Sequence, residues 1–101
     1  MVENLVYKGK KYPIRVSYYA LSMTQKETGK TISKIDDSDL DVYQTLVFHA
    51  LVQGHKITQK ELILTKEDMV DFLDAVFFDF IEILPKFFAK VSPVTVSKTK
   101  N

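Results

Sequence analysis

Few side chains in this sequence are arranged for catalysis or metal binding. The two histidines, His49 and His55, lie six residues apart, whereas two metal ligands on one helix face need a spacing of three or four. The chain has no cysteine, which excludes a thiol nucleophile, a disulfide framework and a thiolate zinc site. No serine, histidine and aspartate stand at a spacing that indicates a triad. We therefore expect no catalytic residue, no metal site and no cofactor, and we interpret both histidines as structural or exposed.

The segment Thr28-Gly29-Lys30-Thr31 resembles the end of a phosphate-binding loop. The full pattern has another glycine five residues before Gly29, and Thr24 occupies that position. Such a loop also follows a strand and precedes a helix, whereas here a helical pattern comes before the glycine. We interpret Gly29 as the left-handed residue that ends a helix. Nucleotide binding remains an alternative at this segment.

Asp37, Asp39 and Asp41 alternate like the first three ligands of a calcium-binding loop. The sixth position of such a loop is glycine and the twelfth is glutamate, but Val42 and Phe48 stand there. Aspartates in this position are typical of a helix start, because their oxygens accept hydrogen bonds from the first N–H groups and their charge suits the helix dipole. The acidic cluster therefore predicts a helix N-terminus.

The composition fits one folded domain. The chain has 101 residues, of which 46% are hydrophobic and 27% are charged, as in ordinary globular proteins. No window is long and apolar enough to span a membrane, and the N-terminus lacks the order of a secretory signal. The net charge of +1 is divided into +5 over residues 1–35, −8 over 36–82 and +4 over 83–101.

This charge segregation has two interpretations. It can steer partners or favour head-to-tail association, or it reflects helices that each carry a solvated polar face. A nucleic-acid partner is not expected, because the lysines are scattered and Arg15 is the only arginine.

The N-terminal residues predict a β-hairpin over about 4–18. Two β-rich runs, 4–7 and 12–18, flank the connection Lys8-Gly9-Lys10-Lys11. Pro13 has no N–H to donate to a ladder, which favours an edge position or a strand start.

Three helical patterns follow, at about 18–28, 39–53 and 66–90. Gly54 is the predicted stop of the second helix, and Thr65 is the predicted N-cap of the third. We expect a helical turn or a loop over 55–64, where Thr58 and Glu61 resemble a capping box.

The third helix is predicted to be long and rich in phenylalanine. Six of the seven phenylalanines fall between Phe72 and Phe88. Pro85 lies inside the pattern and predicts a kink or restart near Leu84, because proline lacks the donor and clashes with the preceding turn. The predicted fold is α+β, mainly α: an N-terminal β-hairpin and a small bundle of three to four helices. We expect one domain over residues 1–91 and a flexible polar tail over 92–101.

The apolar arc of the third helix is wider than one stripe, because Phe78, Ile81 and Ile83 lie off the main row. One interpretation makes it the central core helix. The other completes its burial against another chain, because a domain of this size has only a hairpin and two shorter helices to cover it. The candidate partner-binding residues are Phe77, Phe78, Phe80, Ile81, Leu84, Phe87 and Phe88.

The segment from Tyr18 to Leu51 resembles the tail assembly chaperones of long-tailed bacteriophages. The likeness rests on a helix ending in Glu27-Thr28-Gly29-Lys30, a bridge over 32–35, an acidic cap over 36–39 and an apolar helix over 46–51. It continues through Thr65-Lys66-Glu67-Asp68-Met69 and covers about residues 12–80. The phenylalanine-rich stretch and Pro85 match no pattern of that family.

This resemblance implies binding rather than catalysis. Proteins of this family coat the helical tape-measure protein in the cytoplasm of the bacterial host before the tail tube polymerises. A longer form, made by frameshifting, often recruits tail tube subunits. The resemblance therefore implies the tape-measure protein and the tail tube protein as partners, and it allows a homo-oligomer. The alternatives are a non-phage bacterial adaptor or regulator, and an enzyme or nucleotide-binding protein that uses Gly29-Lys30-Thr31.

Overall fold

The computed structural model describes residues 2–30 and 40–91, with side-chain burial through residue 87. It confirms the predicted α+β, mainly α fold, with an N-terminal hairpin followed by three helices. The bridge over 32–35, the acidic cap over 36–39 and the tail over 92–101 lie outside the described residues. The elements are β1 (Glu3–Tyr7), β2 (Lys10–Ile14), α1 (Tyr18–Thr28), α2 (Leu40–Thr58) and α3 (Met69–Val91), with a 3₁₀ turn (Lys66–Asp68) before α3.

The hairpin closes through a two-residue turn, which is shorter than the predicted connection. Lys8 and Gly9 both have positive φ angles, 52° and 74°, as a type I′ turn requires. Pro13 stands opposite Asn4 in the antiparallel register. Because hydrogen-bonded and non-hydrogen-bonded pairs alternate from the turn outward, Pro13 falls at a non-hydrogen-bonded position. Its missing N–H therefore costs the ladder nothing.

Helix α1 has the predicted bounds, with a capping residue at each end. The Ser17 side chain accepts a hydrogen bond from the Ala20 N–H at 3.3 Å. Gly29 adopts the left-handed conformation, with φ of 71°, and its N–H donates to the Gln25 carbonyl at 2.8 Å. The interpretation of Gly29 as a helix end is confirmed.

Helix α2 continues past Gly54 to Thr58, so the predicted stop at Gly54 is wrong. A Cβ atom on Gly54 would lie 2.3 Å from the Pro13 carbonyl oxygen. Glycine is needed here because strand β2 runs directly against the helix backbone. The Arg15 N–H also donates to the Ala50 carbonyl of α2 at 2.9 Å. A long-range contact, and not a local stop, therefore explains this glycine.

The end of α2 is formed by Gln59, which takes the left-handed conformation with φ of 59°. The Lys60 N–H donates to the His55 carbonyl and the Gln59 N–H to the Lys56 carbonyl, which is the Schellman pattern. The expected capping box of Thr58 with Glu61 is wrong, because the Thr58 hydroxyl donates back to the Gly54 carbonyl at 2.8 Å.

Helix α3 begins as predicted at a Thr65 cap. The Asp68 carboxylate accepts from the Thr65 N–H at 2.8 Å and from its hydroxyl at 3.0 Å. These bonds hold the pKa of Asp68 below its usual value. The helix continues through Pro85 to Val91, so a restart near Leu84 is wrong. Pro85 is exposed, and water can satisfy the carbonyl that its ring leaves free.

The core forms where α2 is enclosed by the other elements. It packs against α1, β2 and α3, while β1 packs against α3. Two ring contacts join the hairpin to α3: Phe72 lies 5.1 Å from Tyr7 and 5.7 Å from Tyr12. The largest fully buried side chains are Phe72, Phe80, Phe87, Leu5, Ile14, Leu46, Leu51 and Met69.

Candidate protein-binding surface

Phe78 is a large apolar side chain on the side of α3 that faces away from the core. An α-helix turns about 100° per residue, so Phe78 is rotated about 160° from the buried Phe80. Phe78 is 83% exposed, although its neighbours Phe72, Val76 and Phe80 on the inner side are buried. Its exposure therefore follows from its position on the helix and not from a frayed end.

Acidic side chains surround Phe78. Val70, Asp74 and Phe78 follow one another at four-residue intervals and form one row along the helix. All three are exposed. Between residues 70 and 82 the sequence contains no lysine, arginine or histidine. The exposed acids of this stretch are Asp71, Asp74, Asp79 and Glu82. We call the surface formed by Val70, Phe78, Ile81 and these four acids the outer face.

An aromatic contact chain connects the outer face to α2. The Phe77 ring lies 5.7 Å from the ring of Phe78 and 5.3 Å from that of Tyr43, edge to face. Phe77 is half-buried and Tyr43 is buried. Leu40, exposed, lies one turn before Tyr43 on the same side of α2. These aromatic contacts extend the apolar area from Phe78 toward the start of α2.

The seven predicted partner-binding residues divide into separate groups. Phe80, Leu84 and Phe87 are buried in the core of this chain, and their surface is not free for a partner. Phe77 and Ile81 are half-buried and pack against that core. Phe78 alone is largely exposed. The side chain of Phe88 lies outside the part that the structure describes.

A second polar cluster, which the sequence did not predict, joins three elements. The Glu27 carboxylate of α1 contacts His49 Nε2 of α2 at 2.9 Å. Its other oxygen accepts from Lys66 Nζ, in the 3₁₀ turn before α3, at 2.5 Å. The rings of Tyr19 and Phe48 enclose the imidazole, at 6.4 and 5.6 Å. The residues stand far apart in sequence, so no local pattern indicates this cluster.

This cluster links three elements of the fold, and we call Glu27, His49 and Lys66 the brace. The hydrogen bond from Lys66 holds the pKa of Glu27 below its usual value, and the bond to His49 acts in the same direction against partial desolvation. Both carboxylate oxygens are engaged, one with each partner. A carboxylate bound in this way ties α1, α2 and the start of α3 together, which agrees with the structural interpretation of His49.

His55 also has a structural contact. It is buried in the last turn of α2, and its Nδ1 donates to the Leu51 carbonyl at 2.8 Å. The acceptor is a carbonyl, so Nδ1 carries the proton. The ring lies 6.1 Å from Tyr12 of β2. His55 therefore helps to hold the hairpin against α2.

The remaining candidate sites gain no support from geometry. Lys30 pairs with Asp41 at 3.7 Å, and Thr31 lies outside the described residues. The calcium-like Asp37 and Asp39 also lie outside them. Within residues 2–30 and 40–91, no three His, Cys, Asp or Glu side chains converge as a metal site. None of the helices in these ranges combines the length and apolarity needed to cross a bilayer.

Comparisons with known proteins do not place this chain in a family. No family model matches it. No curated protein and no solved structure matches it either.

Proposed function

We propose that this protein is a non-enzymatic binding protein that holds an apolar helical segment of another protein on its outer face. The single observation that supports this proposal is Phe78, which is 83% exposed at the middle of a helix. In the manner of the phage tail assembly chaperones that the sequence resembles, the partner would be the tape-measure protein in the host cytoplasm. The tail tube protein would be a second partner.

The shape of the outer face suits a helix. The apolar residues Val70, Phe78 and Ile81 recur at helical spacing along several turns of α3. Ridges of this kind pack into the grooves of a second helix, and an amphipathic helix presents matching apolar residues at three- and four-residue intervals.

Burial of Phe78 in a complex can change the binding affinity by a measurable amount. Full burial of a phenylalanine stabilises by roughly 1.5–3 kcal/mol, which corresponds to about 10- to 150-fold in the dissociation constant. An exposed aromatic side chain also favours aggregation, since free proteins seldom leave large apolar patches in water. Phe78 therefore has the properties of a contact residue.

Co-expression with the tape-measure candidate tests the proposal. If a long, coiled-coil-rich reading frame lies downstream of the gene, its product is divided into fragments for co-expression, and the mass of each complex is measured by light scattering after size exclusion. Wild-type protein should keep the fragments soluble, and Phe78→Asp should release them while its circular dichroism stays unchanged. Ile63→Asp is the matched control, because Ile63 is similarly exposed but lies in the loop before α3.

Three outcomes would contradict the proposal or part of it. If Phe78→Asp binds as wild type does, the outer face is not the binding surface. If no such reading frame exists and fragments of a regulatory neighbour bind instead, the protein is a non-phage adaptor or regulator. Binding of ATP or GTP in calorimetry would favour the nucleotide-binding alternative at Gly29-Lys30, and we expect none.

A further inference from the structure

We infer that the helix bound on the outer face is basic, with lysine or arginine about one turn to each side of the apolar residue that contacts Phe78. This inference rests on the proposed function, and it specifies the chemistry of the partner. It is carried by the charge of the surface around Phe78.

The outer face holds four acidic side chains without a cation among them. Asp71, Asp74, Asp79 and Glu82 are all exposed. Among the described side chains, no lysine, arginine or histidine lies within ion-pair distance of these four carboxylates. This differs from Glu27 at the brace, whose carboxylate is bound by the Lys66 ammonium group and by the His49 imidazole.

The spacing of these acids makes them repel one another. Asp71 and Asp74 stand three residues apart on α3, as do Asp79 and Glu82, and like charges at that spacing destabilise a helix. Lys86 is exposed one turn beyond Glu82, but no ion pair in the described part of the chain engages any of these four acids. A cation from a partner would attract both carboxylates of a pair and offset their repulsion, and this gain would appear only in the complex.

The geometry sets where the partner's charges must stand. Asp74 and Glu82 lie one turn before and one turn after Phe78, a rise of about 6 Å in each direction. A helix packed along α3 with an apolar residue against Phe78 would therefore bring side chains of its own adjacent turns to these carboxylates. Cationic side chains are favoured there, and acidic ones are excluded by like-charge repulsion.

The acidic outer face also selects against other classes of partner. Nucleic acids and anionic lipid surfaces carry the same sign of charge as these carboxylates and would be repelled. A second copy of this chain is the main competitor, because exposed lysines surround the exposed Val6 on the hairpin. The experiment below distinguishes self-association through this lysine-rich hairpin surface from binding of a basic helix.

Two synthetic peptides of about 18 residues, labelled at one end, provide the probe. Both carry the same leucine stripe at helical spacing; one has lysine and the other glutamate at the polar positions. Anisotropy is measured with wild-type protein, Phe78→Ala and the double variant Asp74→Asn with Glu82→Gln, at about 0.02 M and 0.5 M salt. The control double variant, Glu61→Gln with Glu67→Gln, removes the same charge from exposed positions outside the outer face.

The lysine peptide should bind wild-type protein at least about ten-fold more tightly than the glutamate peptide at low salt, and this preference should shrink at high salt. The outer-face double variant should lose about five-fold of the preference, and the control double variant should keep it. Phe78→Ala should weaken both peptides.

Failure of the inference and failure of the proposed function give different results. If Phe78→Ala weakens binding but the two peptides bind equally, or the outer-face variant keeps the preference, only the basic-helix inference is overturned. If Phe78→Ala changes neither peptide, the proposed function fails. If wild-type protein without peptide forms oligomers that the outer-face variant abolishes, the occupant is a second copy and the inference is overturned.

Discussion

The replacement Gly54→Ala should destabilise this protein, although the residue lies inside a helix. An ideal Cβ on Gly54 would lie 2.3 Å from the Pro13 oxygen, 2.5 Å from its carbonyl carbon and 2.6 Å from Ile14 Cα. All three are backbone atoms, so no side-chain rotation can relieve the contact. Strand β2 must move away from α2 by about 1 Å to restore ordinary van der Waals distances.

The expected cost combines three effects. Overpacking a close contact costs about 1–3 kcal/mol. The same movement would lengthen the Arg15–Ala50 hydrogen bond from 2.9 Å beyond bonding range, which costs about 1 kcal/mol. Alanine has a better helix propensity than glycine by about 1 kcal/mol and offsets part of this loss. We expect a net destabilisation of about 1–3 kcal/mol.

Urea unfolding followed by circular dichroism measures this change. The midpoint should fall and the m-value should stay constant, because the unfolded chain is hardly altered. In thermal unfolding, each kcal/mol should lower Tm by about 4–8 °C. Lys56→Ala, at an exposed position of the same helix, should stay within about 0.5 kcal/mol of wild type. If Gly54→Ala is as stable as wild type or more stable, helix propensity dominates and the close approach of β2 to α2 is refuted.

Three further predictions concern other positions. Gln59→Gly should stabilise the protein by up to about 1 kcal/mol in urea unfolding, because Gln59 holds a left-handed φ of 59° that glycine adopts without strain; a loss of stability would contradict this account of the helix end. Glu27→Gln should lower the unfolding free energy at pH 7 by less than about 1 kcal/mol. The folded-state pKa of Glu27 lies below its ordinary 4.5, so this contribution is complete above that value and is lost as the pH falls through the folded-state pKa. The difference between the unfolding free energies of the two proteins should shrink as the pH is lowered below 4.5, and a constant difference would refute the role of the charge. Phe78→Ser should leave Tm within about 2 °C of wild type, because Phe78 contributes little to the core, whereas Phe80→Ser should unfold the protein or lower its stability by several kcal/mol; equal losses in differential scanning calorimetry would show that Phe78 is a core residue.

Local sequence patterns were sufficient where the cause of a structure is local. The ends of α1, the left-handed Gly29 and the Thr65 cap depend on hydrogen bonds that span three or four residues. The hairpin depends on a turn of two residues, and its position was predicted although its exact length was not.

The remaining features depend on contacts between distant segments. The local pattern marks Gly54 as a helix stop. It cannot show that strand β2, from the other end of the sequence, packs against this position and leaves no room for a side chain. Pro85 is tolerated because it lies on the exposed side of α3. The inner and outer phenylalanines could not be separated, because the broad apolar arc of α3 does not fix which side α2 and β1 cover. The brace of Glu27 with His49 and Lys66 has no pattern in any one segment.

The packing of α2 between the hairpin and α3 has a consequence for synthesis on the ribosome. Strand β2 can meet the backbone of α2 only after Gly54 has been made, and Phe72 and Phe80 cover the remaining side only later. Until then the apolar sides of the hairpin and α2 lack the elements that cover them, as in other incomplete chains. Such non-local contacts also slow folding after release.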